Sequence, residues 1–182
     1  MRLGLYGGTF DPIHIGHTHL ITKLLADNIV DRLIVIPAGE PRLRNHAPQA
    51  TGAQRRTMCQ LAINELPTEI RSRVEVNPIE ILRTGPSYTI DTVEAVAQTY
   101  PEAELILIIG SDAAEKIDQW HRVDELLKLV TLEIIDRPGF KSASARDIGA
   151  IDISATQVRS HTSDGISPSV AQYIKENNLY AS

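Results

Sequence analysis

Cysteine is almost missing from this chain. Cys59 is the only one, so no intrachain disulfide framework can form, and no histidine stands near it at a zinc-ligand spacing. Aromatic residues make up 4% of the 182 positions, with Trp120 the single tryptophan. No segment approaches the ~20 apolar residues of a membrane span, and the apolar part of the first eight residues is too short for a secretory signal. An excess of basic residues is also absent: the formal net charge is −5, which excludes the large cationic surface that long nucleic acid rewards. The expectation is a soluble, cytoplasmic protein in a reducing compartment, with neither membrane nor nucleic acid as partner. A small anionic ligand stays open, because it needs only a local basic pocket.

What is present is ample apolar material. Hydrophobic residues account for 42% of the chain, enough for one ordinary domain of this length to build a core without staples. Short aliphatic runs alternate with segments of helical periodicity. Strands are expected at Leu3–Tyr6, Leu33–Ile36, Val74–Val76, Leu105–Ile109, Leu132–Ile135 and around Ile151–Ile153. Helices are expected at His17–Asn28, Ala53–Leu66, Thr89–Tyr100, Val123–Leu129, from Ala155, and at Pro168–Asn177. The alternation predicts an α/β fold: a doubly wound, Rossmann-like parallel sheet with helices on both faces. Residues 1–182 read as a single domain, with 154–182 as a small C-terminal helical subdomain. Two loops read as mobile: Gly39–Gly52, rich in Pro, Arg and Gly, and Pro138–Ala150, rich in Ser, Ala and Gly. Ligands of such sheets bind at the carboxyl ends of strands, so the segments that follow strands carry the argument.

The first is Gly7-Gly8-Thr9-Phe10-Asp11-Pro12-Ile13-His14-Ile15-Gly16-His17. Paired glycines admit a ligand close to the backbone, and a helix N-terminus offers unpaired N–H groups and a positive dipole end. The Gly-Lys-Ser/Thr ending of a phosphate-binding Walker loop is missing, as is Gly-x-Gly-x-x-Gly. In their place stand His14 and His17, about one helical turn apart, so both rings can face an anion above the helix start. His19 lacks these supports and reads as an ordinary helix residue. Gly110-Ser111-Asp112 follows the strongest strand; there the acidic side chain can accept hydrogen bonds from a ribose or position an adenosine, or Ser111 or Asp112 can cap a helix. Ser154, Thr156 and Arg159 gather two hydroxyls and a guanidinium at another helix start, a second anion site. Trp120 lies in the polar stretch Asp118–Arg122 and reads either as a core residue or as a stacking platform for a flat ring.

These segments resemble the nucleotidyltransferases that carry the His-x-Gly-His signature; class I aminoacyl-tRNA synthetases share the motif but are far longer. Pro86-Ser87-Tyr88-Thr89, Gly110-Ser111-Asp112 and Trp120-His121-Arg122 together resemble the nicotinate mononucleotide adenylyltransferases over essentially the whole chain. The resemblance implies transfer of the adenylyl group of ATP to nicotinate mononucleotide, giving nicotinate adenine dinucleotide and pyrophosphate, a step of NAD biosynthesis. It implies catalytic His14 and His17, and ATP contacts from Gly7, Gly8, Thr9, Phe10, His14, His17, Gly110, Asp112, Ser154, Thr156 and Arg159. The nicotinate nucleotide would meet Tyr88, Thr89, Trp120 and His121. Magnesium is expected as a nucleotide-bound ion, since no carboxylate cluster marks a protein-held metal. The family's Pro-Pro-His-Lys after the second strand is replaced by Glu40-Pro41-Arg42-Leu43-Arg44, so Arg42 or Arg44, along with Arg137, are candidates for phosphate contacts. Competing readings are a related adenylyltransferase for nicotinamide mononucleotide or 4′-phosphopantetheine, and a nucleotide-binding regulator without catalysis. Oligomeric state is not legible.

Overall fold

The computed structural model describes residues 1–39, 47–136, 145–160 and 165–180. Five parallel strands form one sheet: β1 (Arg2–Gly8), β2 (Arg32–Pro37), β3 (Val74–Val76), β4 (Glu104–Gly110) and β5 (Thr131–Ile135), in the order β3-β2-β1-β4-β5. Register is set by pairs such as Leu5 with Ile34 and with Leu107. Helices α1 (Ile15–Ala26), α2 (Gly52–Asn64), α3 (Thr68–Arg71), α4 (Ile79–Leu82), α5 (Thr89–Thr99), α6 (Ser111–Ala114), α7 (Val123–Leu129), α8 (Ala155–Ser160) and α9 (Pro168–Glu176) connect and cover it.

Side-chain alternation along the strands makes two cores, one per face. Leu33, Val35, Ile106 and Ile108 point to one side, under Ile21 and Leu24 of α1, Met58 and Ile63 of α2, and Val170 and Ile174 of α9. Leu3, Leu5, Ile34, Ile36, Leu105 and Leu107 point to the other, under Ile90, Val93 and Val96 of α5 and Leu126 of α7. Gly4 leaves room for side chains of the neighbouring strands: a Cβ there would lie 2.6 Å from Leu33 Cδ1 and 3.0 Å from Ile108 Cδ1. The doubly wound expectation is therefore met, with α9 sharing the first core rather than standing apart from it.

Boundaries move for local reasons. α1 starts at Ile15, two residues before the expected His17, because His14 occupies its N-cap. It ends before Asn28, whose φ is +53°. The helix expected over Ala53–Leu66 forms as α2, from Gly52 to Asn64, and α3 is a separate short helix that starts after Pro67. The strand expected around Ile151–Ile153 does not form: the Ile153 N–H turns back to the Ile151 carbonyl at 2.9 Å, which removes it from any ladder. Beyond β5 the described residues add to the sheet only the Ile135–Arg146 bridge. Among the described residues no helix is long and apolar enough to cross a membrane.

Candidate active site

Strands β1 and β4 lie side by side, and the connections that leave them run to opposite faces of the sheet. Their carboxyl ends splay apart, and the crevice there is where an α/β sheet accepts a ligand. Two cavities open at this edge. One, of about 230 Å³, is lined by Thr9, Phe10, Asp11, His14 and His17 of the β1–α1 segment, Gly110 at the end of β4, Asp136 after β5, and Ser154 and Thr156 at the start of α8. The other, of about 170 Å³, is lined by Glu80, Thr89, Thr92 and Trp120 over the apolar ends of β1, β2 and β4. Gly7, Gly8 and Ile109 line both.

The glycines keep that shared wall low. At Gly7 a Cβ would meet nothing within 4 Å, so the backbone stands open to an incoming group. At Gly8 a Cβ would lie 2.8 Å from the Phe10 ring, which turns back under the loop at φ +51°. Phe10 supports His17 edge-on, with centroids 5.0 Å apart. The His14 and His17 rings stack at 3.7 Å with 25° between their planes, so the two imidazoles do share one face. Gly16 permits this stacking, because a Cβ there would stand 3.1 Å from His14 Nδ1 and 2.9 Å from Ile153. The His14 N–H donates to His17 Nδ1 at 3.1 Å. With Nδ1 accepting, neutral His17 carries its ring proton on Nε2, which is thereby a hydrogen-bond donor.

Arg159 reaches across from α8. Its Nη1 donates to the Asp11 carbonyl at 2.5 Å and its Nη2 to Thr156 Oγ1 at 3.1 Å. Ser154 Oγ accepts the N–H of Gln157, so this hydroxyl caps α8. Gly110 takes the N-cap of α6, so neither Ser111 nor Asp112 caps it; Ser111 is buried and Asp112 is half-buried in its first turn.

Around the second cavity, Trp120 packs on the core formed with α5 while also lining the opening. Tyr88 and His121 pair with rings 4.2 Å apart but are not among the residues that line this cavity. Arg122, at φ +52°, ties that turn down through Glu94 at 2.7 Å and Glu125 at 2.5 Å. Arg42, Arg44 and Arg137, with most of the two loops expected to be mobile, lie outside the described residues.

Four residues of this region are not among those expected to contact a substrate. Asp11, 5% exposed, accepts the N–H groups of Gln49 and Ala50. Arg55, 2% exposed, donates to the carbonyls of Thr9, Ala38, Gly39 and Ala50. Burial pulls its guanidinium below the ordinary arginine value, and the Asp11 charge opposes that pull. Glu80 accepts from the Thr92 hydroxyl at 3.0 Å and the Gly39 N–H at 3.4 Å, and burial pushes its carboxyl up. Tyr180 donates to Asp11 from 169 residues away. His19, read as ordinary, has Nε2 3.0 Å from the Ile148 carbonyl oxygen, linking α1 to the segment after β5.

Residues 5–161 match the cytidylyltransferase-like family. A probable nicotinate-nucleotide adenylyltransferase of Shouchella clausii is 35% identical over 98% of this chain and 96% of its own length. A protein of the same description from Bacillus pumilus is also 35% identical, over 100% of this chain and 99% of its own. A Plasmodium falciparum nicotinic acid mononucleotide adenylyltransferase solved in complex with NaAD superposes with a TM-score of 0.83 at 21% identity, covering 98% and 97% of the two chains, which shows a common fold. The chain thus belongs to the cytidylyltransferase-like family and, within it, to the nicotinate-nucleotide adenylyltransferases.

Proposed function

We propose that the chain transfers the adenylyl group of ATP to nicotinate mononucleotide, releasing pyrophosphate and forming nicotinate adenine dinucleotide. The observation that carries this reading is the shared wall of Gly7 and Gly8 between two cavities of different character. ATP occupies the larger cavity, with its adenosine toward Gly110 and its triphosphate over Thr9, His14, His17, Ser154, Thr156 and Arg159. The acceptor's flat ring lies against Trp120, beside Thr89, Tyr88 and His121, and its phosphate approaches over the glycines.

Nucleotidyl transfer asks the protein for alignment and charge stabilisation more than for acid–base work. The acceptor's 5′-phosphate oxygen attacks the α-phosphorus in line, the bond from that phosphorus to the bridging oxygen breaks, and pyrophosphate leaves. Held by the His14 N–H, His17 directs Nε2–H at the α-phosphate as negative charge builds there. His14, Thr9 and Arg159 gather the leaving phosphates. Among the described residues no cluster of three His, Cys, Asp or Glu side chains could cage a cation, and the donors lining this cavity suit phosphate. A magnesium ion carried in by the nucleotide would supply charge neutralisation at the triphosphate.

The test is pyrophosphate release from magnesium-ATP with nicotinate mononucleotide, nicotinamide mononucleotide and 4′-phosphopantetheine offered separately. Preference for the nicotinate acceptor is the expected result. Preference for either other acceptor overturns the assignment of the ring site, and silence with all three overturns catalysis.

A further inference from the structure

Asp11 joins three segments that are remote in sequence. Its Oδ2 accepts the Gln49 N–H at 2.8 Å, and its Oδ1 accepts the Ala50 N–H at 3.1 Å and the Tyr180 hydroxyl at 2.7 Å. Arg159 binds the carbonyl of the same residue, yet its Nη1 stays 3.8 Å from Asp11 Oδ2. The carboxylate thus has three neutral donors close in and holds the guanidinium at ion-pair distance without a tight hydrogen bond. Tyr180 is delivered by a fixed element: α9 is anchored by Val170 and Ile174, and the Leu179 N–H closes on the Ile174 carbonyl at 3.0 Å. Tyr180 itself is held at φ +60°. Burial and the facing carboxylate keep its hydroxyl protonated, so it donates.

A carboxylate that loses a close donor takes a replacement from its surroundings, because its lone pairs are costly to leave unmet in a buried setting. Among the described residues the nearest cation is Arg159, which the adenylyl-transfer reading assigns to the nucleotide's phosphates. We propose that Tyr180 is a positioning residue for the nucleoside triphosphate: by occupying Asp11, its hydroxyl keeps Arg159 directed at the phosphates. This rests on the adenylyl-transfer reading for the place of the phosphates. It adds to that reading a residue from the far end of the chain that touches neither substrate.

The test is Tyr180→Phe, which removes one oxygen and retains the ring, with Tyr173→Phe on α9 as the control. In steady-state assays KM for ATP rises about fivefold or more in Tyr180→Phe, and KM for the acceptor stays within twofold. Adding Tyr180→Phe to Asp11→Asn produces no further loss, since the tyrosine acts through the carboxylate. Unchanged kinetics, equal rises in both KM values together with lowered stability, or multiplying losses in the double variant would each overturn the proposal. Equilibrium dialysis with ATP alone separates this inference from the functional reading. If the wild type transfers nothing to nicotinate mononucleotide, only that reading fails, and weaker ATP binding by Tyr180→Phe still upholds the inference. Equal ATP binding refutes it.

Discussion

Replacing Arg55 by Met tests how the two cavities are held against each other. The guanidinium makes four hydrogen bonds to main-chain carbonyls: 2.7 Å to Ala38, 2.8 Å to Thr9, 3.2 Å to Gly39 and 3.3 Å to Ala50. Methionine fills much of the same volume but donates nothing, so these carbonyls lose a donor that buried backbone needs. At about 1 kcal/mol net for each bond, the loss is about 3–5 kcal/mol, of the size found on removing one partner from a buried charged network. For a domain of this size each kcal/mol moves the midpoint by about 2–4 °C, so Tm should fall by about 6–20 °C. Calorimetry and urea unfolding, run with Arg55→Lys in parallel, measure it. Lysine keeps the charge but cannot span carbonyls from three segments, so it should recover less than half of the loss. A Tm for Arg55→Met within 2 °C of wild type would refute the reasoning, since it would mean that these carbonyls find other donors at no cost.

Three further outcomes are expected. His17→Ala lowers turnover about 10²-fold or more, the scale for losing a preorganised donor, and near-normal turnover in single-turnover assays would remove the residue from this role. Trp120→Ala raises KM for the nicotinate acceptor about tenfold or more with little change for ATP, whereas Trp120→Phe recovers much of the effect because a ring face is retained; equal rises for both substrates would count against a ring site. Glu80 has a carboxyl raised above its ordinary value of 4.5 by burial. The native state therefore holds this proton more firmly than the unfolded chain, and the associated stability is present below the unfolded pKa and lost as pH rises through the folded one. Chemical unfolding of wild type against Glu80→Gln should show the wild type gaining relative stability as pH falls from neutrality toward 4.5, and a gap constant with pH would contradict the assignment.

The β1–α1 segment was legible because its chemistry is contiguous: the turn glycines, both histidines and the helix start occupy eleven successive positions. The strands were legible for a similar reason, since aliphatic runs such as Leu105–Ile109 leave no other comfortable place than a sheet covered on both faces. Ile151–Ile153 misled because alternation of apolar side chains says nothing of whether the N–H groups are free to pair, and here one is spent in a tight turn. Arg55 gave no sign for a different cause. In sequence it is one of two arginines in an amphipathic helix, and its burial depends on carbonyls delivered by β1 and β2. Asp11 was visible as part of a motif, but its partner Tyr180 is fixed only when α9 docks against α2, a long-range event that no local pattern encodes.

Among the described residues, the wall common to the two cavities consists of Gly7, Gly8 and Ile109. Every other described lining residue belongs to one chamber alone. The chambers are thus separable in heredity as well as in space: substitutions around Glu80, Thr92 and Trp120 can reshape the chamber proposed for the acceptor while the chamber proposed for the nucleotide keeps its full complement of described residues. A descendant of this chain could exchange one phosphorylated acceptor for another by altering a handful of positions on a single side of β1.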